Sequence, residues 1–288
     1  MSQMNITLQG LQPILSTALE TIDHIADLVN AEKVRPLNAQ AVRLENAHCD
    51  KELRTRIEAI CLAAQLDINL SPTERHIGDF KLVAMDMDST LITIECIDEI
   101  ADMQGLKSQV SEITEAAMRG ELEFKESLTR RVALLKGLDA SALQKVYDER
   151  LQLSLGAEAM LTAIKQAGMK TLLVSGGFTF FTDHMKARLG LDYAHSNVLE
   201  IENGKLTGKV IGGIVDADEK QATVLRVCAE MGITAKQAIV MGDGANDLKM
   251  MSIAGLSVAF RAKPVVRAQA DVALNFVGLD GVLNLFTD

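Results

Sequence analysis

The spacing of apolar residues divides the chain into two parts. In the first part, apolar side chains recur at helical spacing over residues 13–30 and again over 50–65. Short strand-like runs flank these segments, at residues 4–8, 33–37, 41–44 and 66–70. The order strand–helix–strand–strand–helix–strand is typical of a ferredoxin-like α+β unit. Ser71-Pro72-Thr73 then interrupts the pattern, so we place an N-terminal domain at residues 1–72 and a second domain at 73–288.

In the second part, strand-like runs alternate with helical segments. This alternation predicts a parallel sheet with helices on both faces, which is an α/β, Rossmann-like core. The expected strands are residues 81–86, 170–174, 238–242, 255–259 and a shorter run near 272–274.

Two interruptions break this alternation. The first covers residues 95 to about 150 and predicts a helical cap inserted after the first core strand. Its helical stretches are residues 107–119, 124–136 and 141–150. The second interruption, residues 198–210, carries Asn203-Gly204 between two alternating runs and predicts a β-hairpin.

Composition narrows the functional classes. The 288 residues suffice for two domains, and 48% hydrophobic residues can fill their cores. A net charge of −10 argues against nucleic-acid binding, which needs Lys and Arg to displace counterions. An anionic substrate therefore needs a local positive site, because the overall field does not attract it.

Cysteine usage and the N-terminus favour a cytoplasmic location. The 4 Cys form no C-x-x-C pair and only 5 His are present, which argues against a zinc site or a disulfide framework. The first residues lack the basic start and apolar block of a signal peptide. No apolar run is long enough to span a bilayer, so we expect no membrane partner.

The first candidate chemistry lies in KLVAMDMDSTLI, residues 81–92, where an apolar strand ends in Asp86 and Asp88. Side chains two apart in a strand point the same way. Two such carboxylates repel, and one stays protonated unless a cation intervenes. Taken alone, the stretch fits a polar turn equally well.

Ligands of open α/β sheets bind at the carboxyl ends of the strands, so the residues at the other strand ends are candidates for the same site. The second core strand leads into Ser-Gly-Gly at 175–177, and the third delivers Asp243, Asn246 and Asp247. Lys220 lies near the start of a helix between them. Each feature alone is an ordinary turn or a solvated lysine, but together they indicate one site.

These residues can perform phosphoryl transfer. Carboxylates suit Mg²⁺, and a cation lets Asp86 and Asp243 stay ionised side by side. Ser175, the following backbone N–H groups and Lys220 are donors for a phosphoryl group. Asp86 can then attack phosphorus to form an aspartyl-phosphate. Asp88 can protonate the leaving oxygen and afterwards activate water.

In this order, the segments 86–90, 175–177 and 242–247, with Lys220 between the last two, resemble the four motifs of the haloacid dehalogenase-like (HAD) phosphatases. The runs MDMDSTLITIECIDEIA and FKESLTRRVALLKGL are similar to those of the phosphoserine phosphatases in that superfamily. The resemblance covers residues 80–288. It implies a Mg²⁺-dependent enzyme that hydrolyses O-phosphoserine to serine and phosphate through an aspartyl-phosphate, the last step of serine biosynthesis.

The resemblance also implies roles for single residues. Asp86 is the nucleophile and Asp88 the acid and base. Mg²⁺ is held by Asp86, the backbone carbonyl of Asp88 and Asp243, with Asp247 in support. The phosphate ligands are Ser175, Gly176 and Lys220, with Asn246 beside them.

For the rest of the substrate, the resemblance implies that Glu95 meets the ammonium group and Arg131 the carboxylate. Met118 and Phe124 correspond to apolar cap residues that close over the substrate. From the residues alone, Arg130 is an equal candidate for the carboxylate, and Glu95 could simply complement a helix dipole. Met118 and Phe124 would by default pack inside the cap.

The N-terminal unit resembles the amino-acid-binding ACT modules in its order of elements. Its first turn, residues 9–13, lacks the acidic residue usual before the first ACT helix. We therefore expect this unit to mediate homodimerisation or to give structural support at least as readily as to bind a ligand.

Three other functions compete with this interpretation. One is a related HAD phosphatase or phosphotransferase acting on another small phosphorylated metabolite, for example one that passes phosphate to homoserine. Another is a phospho-accepting receiver domain, which also clusters aspartates and a lysine at strand ends but has no D-x-D on one strand and no long helical cap. The third is a non-catalytic amino-acid sensor built around residues 1–72.

Overall fold

A computed structural model describes residues 3–118 and 121–287, apart from the side chains of Leu15 and Met118. The N-terminal unit is an antiparallel sheet of four strands in the order β2-β3-β1-β4. Its strands are β1 (Met4–Gly10), β2 (Lys33–Asn38), β3 (Ala41–Ala47) and β4 (Leu66–Ser71). Its helices are α1 (Ile14–Thr17), α2 (Leu19–Leu28) and α3 (Lys51–Ala63). The helix expected over residues 13–30 is thus two helices, which meet at Ala18.

The two faces of this antiparallel sheet differ in polarity. Ile6 and Leu8 of β1 enter an apolar core shared with the three helices. Thr7 and Gln9 alternate with them, are fully buried, and contact Asn284 near the end of the chain. The second face is therefore a polar contact with the rest of the molecule.

The second part contains a mixed, mainly parallel sheet of seven strands in the order β11-β10-β9-β5-β6-β7-β8. They are β5 (Leu82–Met85), β6 (Lys170–Phe178), β7 (Tyr193–Glu202), β8 (Lys205–Ile211), β9 (Ala238–Gly242), β10 (Leu256–Phe260) and β11 (Val272–Leu274). The hairpin expected at 198–210 is formed by β7 and β8. The start of β7 also pairs in parallel with β6, which the sequence pattern did not predict.

Helices cover both faces of this sheet. Alternate residues of β5 enter two separate apolar clusters: Val83 and Met85 face one, and Leu82 and Ala84 face the other. The core helices are α8 (Ala157–Gln166), α9 (Thr179–Leu189), α10 (Ala217–Glu230), α11 (Leu248–Ser252) and α12 (Pro264–Arg267). This arrangement is the predicted α/β architecture.

In its described part, the segment expected to form a cap consists of helices joined by short turns. It consists of α4 (Cys96–Asp102), α5 (Lys107–Met118), α6 (Phe124–Leu134) and α7 (Ser141–Glu149). The cap is inserted between β5 and α8. No helix within residues 3–118 and 121–287 is both long and apolar enough to cross a membrane.

Strand pairing decides where the functional residues meet. β5 lies between β9 and β6, and all three run parallel. Their carboxyl ends therefore lie side by side at one edge of the sheet. Asp86 and Asp243 directly follow β5 and β9, and Ser175 lies in the last four residues of β6.

Candidate active site

A buried lysine joins two carboxylates at the centre of this edge. Nζ of Lys220 lies 2.8 Å from Oδ2 of Asp86 and 2.8 Å from Oδ1 of Asp247. Burial raises the pKa of Asp86 well above its usual value, and the charge of Asp247 adds to this while Lys220 opposes it. Burial would lower the pKa of Lys220, but Asp247 and Asp86 more than reverse this effect. All three groups are thus electrostatically interdependent.

Asp88 reaches the site by a different route from the one expected. The strand ends at Met85, and residues 87–91 form a tight turn in which Ser89 adopts a φ of +56°. Strand alternation therefore does not set the direction of Asp88. Its Oδ1 accepts a hydrogen bond from the Cys96 N–H at 3.1 Å, and its Oδ2 accepts one from Ser175 Oγ at 3.5 Å.

The pKa of Asp88 is raised to about 7, first by burial and then by the charge of Glu95. A carboxyl group with this pKa exists in both protonation states near neutrality. That property suits a group that both donates and accepts protons.

The end of β6 forms a small polar cradle. Ser175 Oγ accepts a hydrogen bond from the Gly177 N–H at 2.8 Å. A Cβ atom on Gly177 would lie 2.6 Å from Oδ2 of Asp88, so a side chain there would have to displace a neighbouring side chain. Asn197 of β7 fixes the cradle from behind, because its Nδ2 donates to the Gly176 carbonyl at 2.7 Å and its Oδ1 accepts from the Val215 N–H at 2.8 Å.

Asn197 is not among the site residues that the sequence predicts. Its two partners lie 21 and 18 positions away along the chain, and it belongs to a strand whose place in the parallel sheet was not predicted. No local sequence signal could have identified it.

A cluster of three carboxylates lies at the ends of β5 and β9. One oxygen each of Asp86, Asp243 and Asp247 lie within 4.8 Å of one another. Thr90 Oγ1 donates to Oδ1 of Asp243 at 3.1 Å. The pKa of Asp243 is raised to about 7, first by burial and then by Asp247. This mutual repulsion among oxygen donors is what a hard divalent cation relieves, so the residues fit such an ion.

Within this cluster Asp247 is already engaged. Its Oδ1 receives Lys220, and its Oδ2 accepts the N–H groups of Asp243 and Gly244 at 3.2 and 3.0 Å. Asn246 lies in the same turn and is partly buried. Asp247 therefore holds the loop and the lysine in place. These contacts match the supporting role expected for it beside the metal ligands.

The cap brings charged groups over this edge. Glu95 lies where solvent reaches it, and its Oε1 accepts a hydrogen bond from Ser89 Oγ at 2.7 Å. Burial raises the pKa of the Glu95 carboxyl even so. Arg131 on α6 is partly buried. Burial lowers the pKa of its guanidinium, and the charges of Asp98, Glu95 and Asp88 oppose this effect.

The structure separates the two adjacent arginines of α6. Arg130 is exposed and pairs with Glu126 at 2.5 Å, one helical turn earlier. Arg131 instead faces the acidic side of the cap. Of the two candidates, Arg131 is the one whose pKa is lowered by burial and raised in turn by the nearby charges of Asp98, Glu95 and Asp88.

An aromatic ring of the cap lies over the polar cradle at the end of β6. A Cβ atom on Gly176 would lie 3.1 Å from Cζ of Phe124. Next to it, Nζ of Lys125 lies 2.9 Å from Oδ2 of Asp216. Met118 ends α5, and its side chain, which was predicted to close over the substrate, lies outside the described residues.

Known proteins of similar sequence belong to the family whose motifs the chain carries. A family profile described as haloacid dehalogenase-like hydrolase matches residues 80–255. The chain is 56% identical over 225 residues to a phosphoserine phosphatase of Polaromonas sp., covering 76% of this chain and 95% of the relative.

Solved structures agree with this match. A HAD family hydrolase from Salmonella enterica serovar Typhi is similar over 99% of both chains, with a TM-score of 0.86 and 33% identity. A phospho-aspartyl intermediate analogue of phosphoserine phosphatase matches 72% of this chain and 99% of its own, with a TM-score of 0.68 and 38% identity. The similarity to the Salmonella protein therefore includes the N-terminal unit.

Proposed function

Since the chain belongs to the haloacid dehalogenase-like hydrolases and, among them, to the phosphoserine phosphatases, we propose that it hydrolyses O-phosphoserine to serine and inorganic phosphate. This reaction would be the last step of serine biosynthesis. The observation that carries the proposal is the pair Asp86 and Lys220, fully or almost fully buried and 2.8 Å apart, with Asp88 beside it. A buried carboxylate held by a lysine at a strand end is the group that covalent phosphoryl transfer requires.

The first step transfers the phosphoryl group to the enzyme. A carboxylate oxygen of Asp86 forms a bond to phosphorus while the bond between phosphorus and the serine oxygen breaks. Asp88 donates its proton to the departing oxygen, so that serine leaves as an alcohol. Ser175, the Gly176 N–H and Lys220 donate hydrogen bonds to the phosphoryl oxygens.

The second step releases phosphate. Asp88, now ionised, takes a proton from a water molecule whose oxygen attacks phosphorus. The bond between phosphorus and Asp86 breaks, and both carboxyl groups return to their starting protonation states. The similar structure described as a phospho-aspartyl intermediate analogue of phosphoserine phosphatase supports such an intermediate.

We propose Mg²⁺ as the cation of the carboxylate cluster. Its ligands would be Asp86, Asp243 and the backbone carbonyl of Asp88, with Asp247 holding Lys220 and the loop. When bound, Mg²⁺ offsets the charge of the carboxylates and of the phosphoryl group. Thr90, which donates to Asp243, keeps one of these ligands oriented.

Recognition of the amino-acid part would fall to the cap. Arg131 can bind a carboxylate with two parallel hydrogen bonds, and Glu95 can accept the ammonium group. Phe124, together with Met118, would close the apolar side, while Asn246 would lie beside the phosphate. An enclosed site strengthens these charged contacts, because water is excluded.

The proposal is tested by measuring phosphate release from a panel of phosphomonoesters with Mg²⁺ and with EDTA. The panel includes O-phosphoserine, O-phosphoethanolamine, which lacks the carboxylate, and p-nitrophenyl phosphate, which lacks both recognition groups. We expect the highest kcat/KM for O-phosphoserine and loss of turnover with EDTA that added Mg²⁺ restores. Equal kcat/KM for O-phosphoserine and O-phosphoethanolamine would contradict the substrate assignment, and product analysis with homoserine detects phosphotransfer.

For residues 1–72 we propose a separate ACT-like domain that supports self-association or stability, joined to the phosphatase domain at 73–288. Its order of elements and its own apolar core support this. Strand β2 is largely exposed at the edge of the sheet, and such an edge is available for pairing with a second copy. The mass of the full chain by light scattering tests whether it forms a homodimer.

A further inference from the structure

The cap contains buried polar atoms of opposite character without hydrogen-bond partners among residues 3–118 and 121–287. One is Nε of Arg131 on α6, a donor, and another is Oδ1 of Asp98 on α4, an acceptor. Burying such an atom without a partner is destabilising. Two complementary atoms left open in the same cap indicate a contact that forms only when the site is filled.

For each of these two side chains, the other is the oppositely charged group with the strongest electrostatic effect on its pKa. Burial lowers the pKa of Arg131, and Asp98 opposes this more strongly than Glu95 or Asp88 does. Burial raises the pKa of Asp98, and Arg131 opposes this more strongly than Lys107 does. Among the acidic groups around Arg131, Asp98 therefore interacts with it most strongly.

The shape of a guanidinium allows two partners at once. It carries five N–H donors in a rigid plane, so Nε–H can bind one carboxylate while the terminal nitrogens bind another. A partner at Nε stops the plane from rotating. When this contact forms as the site fills, it fixes the guanidinium in the orientation that receives the substrate carboxylate.

We propose that Asp98 is a positioning residue that accepts a hydrogen bond from Nε–H of Arg131 and thereby orients the guanidinium toward the substrate carboxylate. This inference rests on the proposed function, because it requires a substrate with a carboxylate. Asp98 acts through Arg131 and not on the reacting atoms. It determines which phosphomonoester is preferred and leaves the phosphoryl chemistry unchanged.

A simpler role for Asp98 makes a different prediction. Asp98 lies in the first turn of α4, where a negative charge complements the helix dipole. A residue that only stabilised the helix would affect all substrates alike when replaced. Substrate preference therefore separates the two roles.

The experiment compares kcat/KM for O-phosphoserine and for p-nitrophenyl phosphate in full-length variants with Mg²⁺. Asp98→Ala should lower the value for O-phosphoserine by about 10- to 100-fold, the effect of losing a hydrogen bond to a charged group. The value for p-nitrophenyl phosphate should change less than about threefold. Asp98→Asn keeps an acceptor oxygen without the charge, so its loss on O-phosphoserine should be smaller but clear.

Asp102→Asn is the matched control. Asp102 ends the same helix and faces Arg150 and Lys107, so its replacement removes a cap charge elsewhere. This variant should keep the wild-type ratio between the two substrates. A shift in the ratio equal to that of Asp98→Asn would mean that any negative charge on α4 suffices, which overturns the inference.

A double-variant cycle gives the decisive readout. When Arg131 is already Ala, the further change Asp98→Ala should alter kcat/KM for O-phosphoserine less than about threefold, because the residue that it positions is gone. Full additivity, or equal losses on both substrates, overturns the inference. If Asp98→Ala does not fold by circular dichroism, an unchanged preference in Asp98→Asn overturns it instead. A wild-type chain inactive on O-phosphoserine overturns the proposed function as well, whereas an active one isolates the role of Asp98.

Discussion

At the scale of single residues, the site depends on one buried lysine. Lys220 is fully buried and contacts both Asp86 and Asp247. Burial favours the neutral form of Asp86, and Lys220 acts against this. Ionisation of the residue proposed as nucleophile therefore depends on a neighbour that lies far from it in the sequence.

Replacing the two aspartates of the first motif should have distinct effects. Asp86→Asn should abolish turnover and phosphate attachment, because an amide is a poor nucleophile. Asp88→Asn should lower kcat by about 10²- to 10⁴-fold, the usual contribution of a general acid and base, while some phosphoenzyme still forms. Steady-state phosphate release and intact mass measure both effects. Asp79→Asn, an exposed position before β5, is the control, and near-normal turnover of Asp86→Asn would disprove the covalent mechanism.

Two neighbouring arginines offer a matched pair for testing selectivity. Removing one partner of a buried charge pair typically costs about 2–5 kcal/mol, which is roughly 30- to several-thousand-fold in kcat/KM. Arg131→Ala should lose this much on O-phosphoserine and far less on p-nitrophenyl phosphate. Arg130→Ala, which breaks only an exposed pair with Glu126, should lose little on either. Equal losses of Arg131→Ala on the two substrates would assign it a structural role.

At the scale of elements, the cap is connected to the helix that carries Lys220. Lys125 on α6 pairs with Asp216, and Asp216 also accepts the Glu219 N–H at 2.9 Å as the N-cap of α10. Phe124, one residue earlier, lies over Gly176. The start of α6 therefore contacts two core elements of the proposed phosphate site, β6 and α10, and covers the cleft between cap and core at this point.

The end of β6 should tolerate no side chain at its last glycine. A Cβ on Gly177 would lie 2.6 Å from Asp88 Oδ2 and 3.0 Å from Ser175 Oγ, so Gly177→Ala must displace one of them. A displacement of about 1 Å at a reacting group can cost about 10²-fold, and we expect kcat to fall at least tenfold with the fold retained. Gly213→Ala, where a Cβ meets nothing within 4 Å, should keep full activity. Steady-state measurements of kcat for both variants test this prediction. Equal kcat values would show that the turn accommodates the added side chain without loss of activity.

At the scale of the whole molecule, the N-terminal sheet contacts the end of the chain through buried polar groups. Asp67 of β4 accepts the N–H groups of Asn275, Phe276 and Val277 at 2.8, 2.9 and 3.1 Å. Arg43 of β3 donates to carbonyls of the C-terminal segment at 2.8 and 2.6 Å. These contacts satisfy backbone groups that would otherwise be unpaired, beyond the edge strand β11.

A chain beginning at Thr73 should therefore stay active but lose stability. Every residue assigned to the chemistry lies between Asp86 and Asp247, so kcat for O-phosphoserine should change less than about tenfold. Loss of Asp67 and its neighbours leaves several N–H groups without partners, which should lower the free energy of unfolding by several kcal/mol, at about 1–3 kcal/mol for each group that stays buried. Urea unfolding and kcat of the truncated chain test this.

The full-length variant Asp67→Ala provides the control for that truncation. It removes the acceptor of three backbone N–H groups and keeps the rest of the N-terminal unit. We expect part of the same loss in stability, with activity retained. A folded truncation whose kcat falls a hundredfold or more would instead mean that the N-terminal unit completes the active site.

The amino-acid sequence by itself determined the order of the elements and the main candidates for the chemistry. Apolar spacing is a local property, so β5, β9 and the cap helices α5, α6 and α7 could be predicted near their observed bounds. Asp86 and Asp243 directly follow strands, and parallel strands end at one edge. Their approach to each other could therefore be predicted without knowing any side-chain position.

Only the tertiary structure decided which side chains face each other across long separations. It placed Arg131 rather than Arg130 on the acidic side of the cap, and it brought Asn197 behind the phosphate cradle. It also set Asp88 by a turn instead of by strand alternation, and joined Asp67 to the C-terminal segment. Each of these outcomes depends on packing between segments far apart in the chain, for which periodicity and motif spacing carry no information.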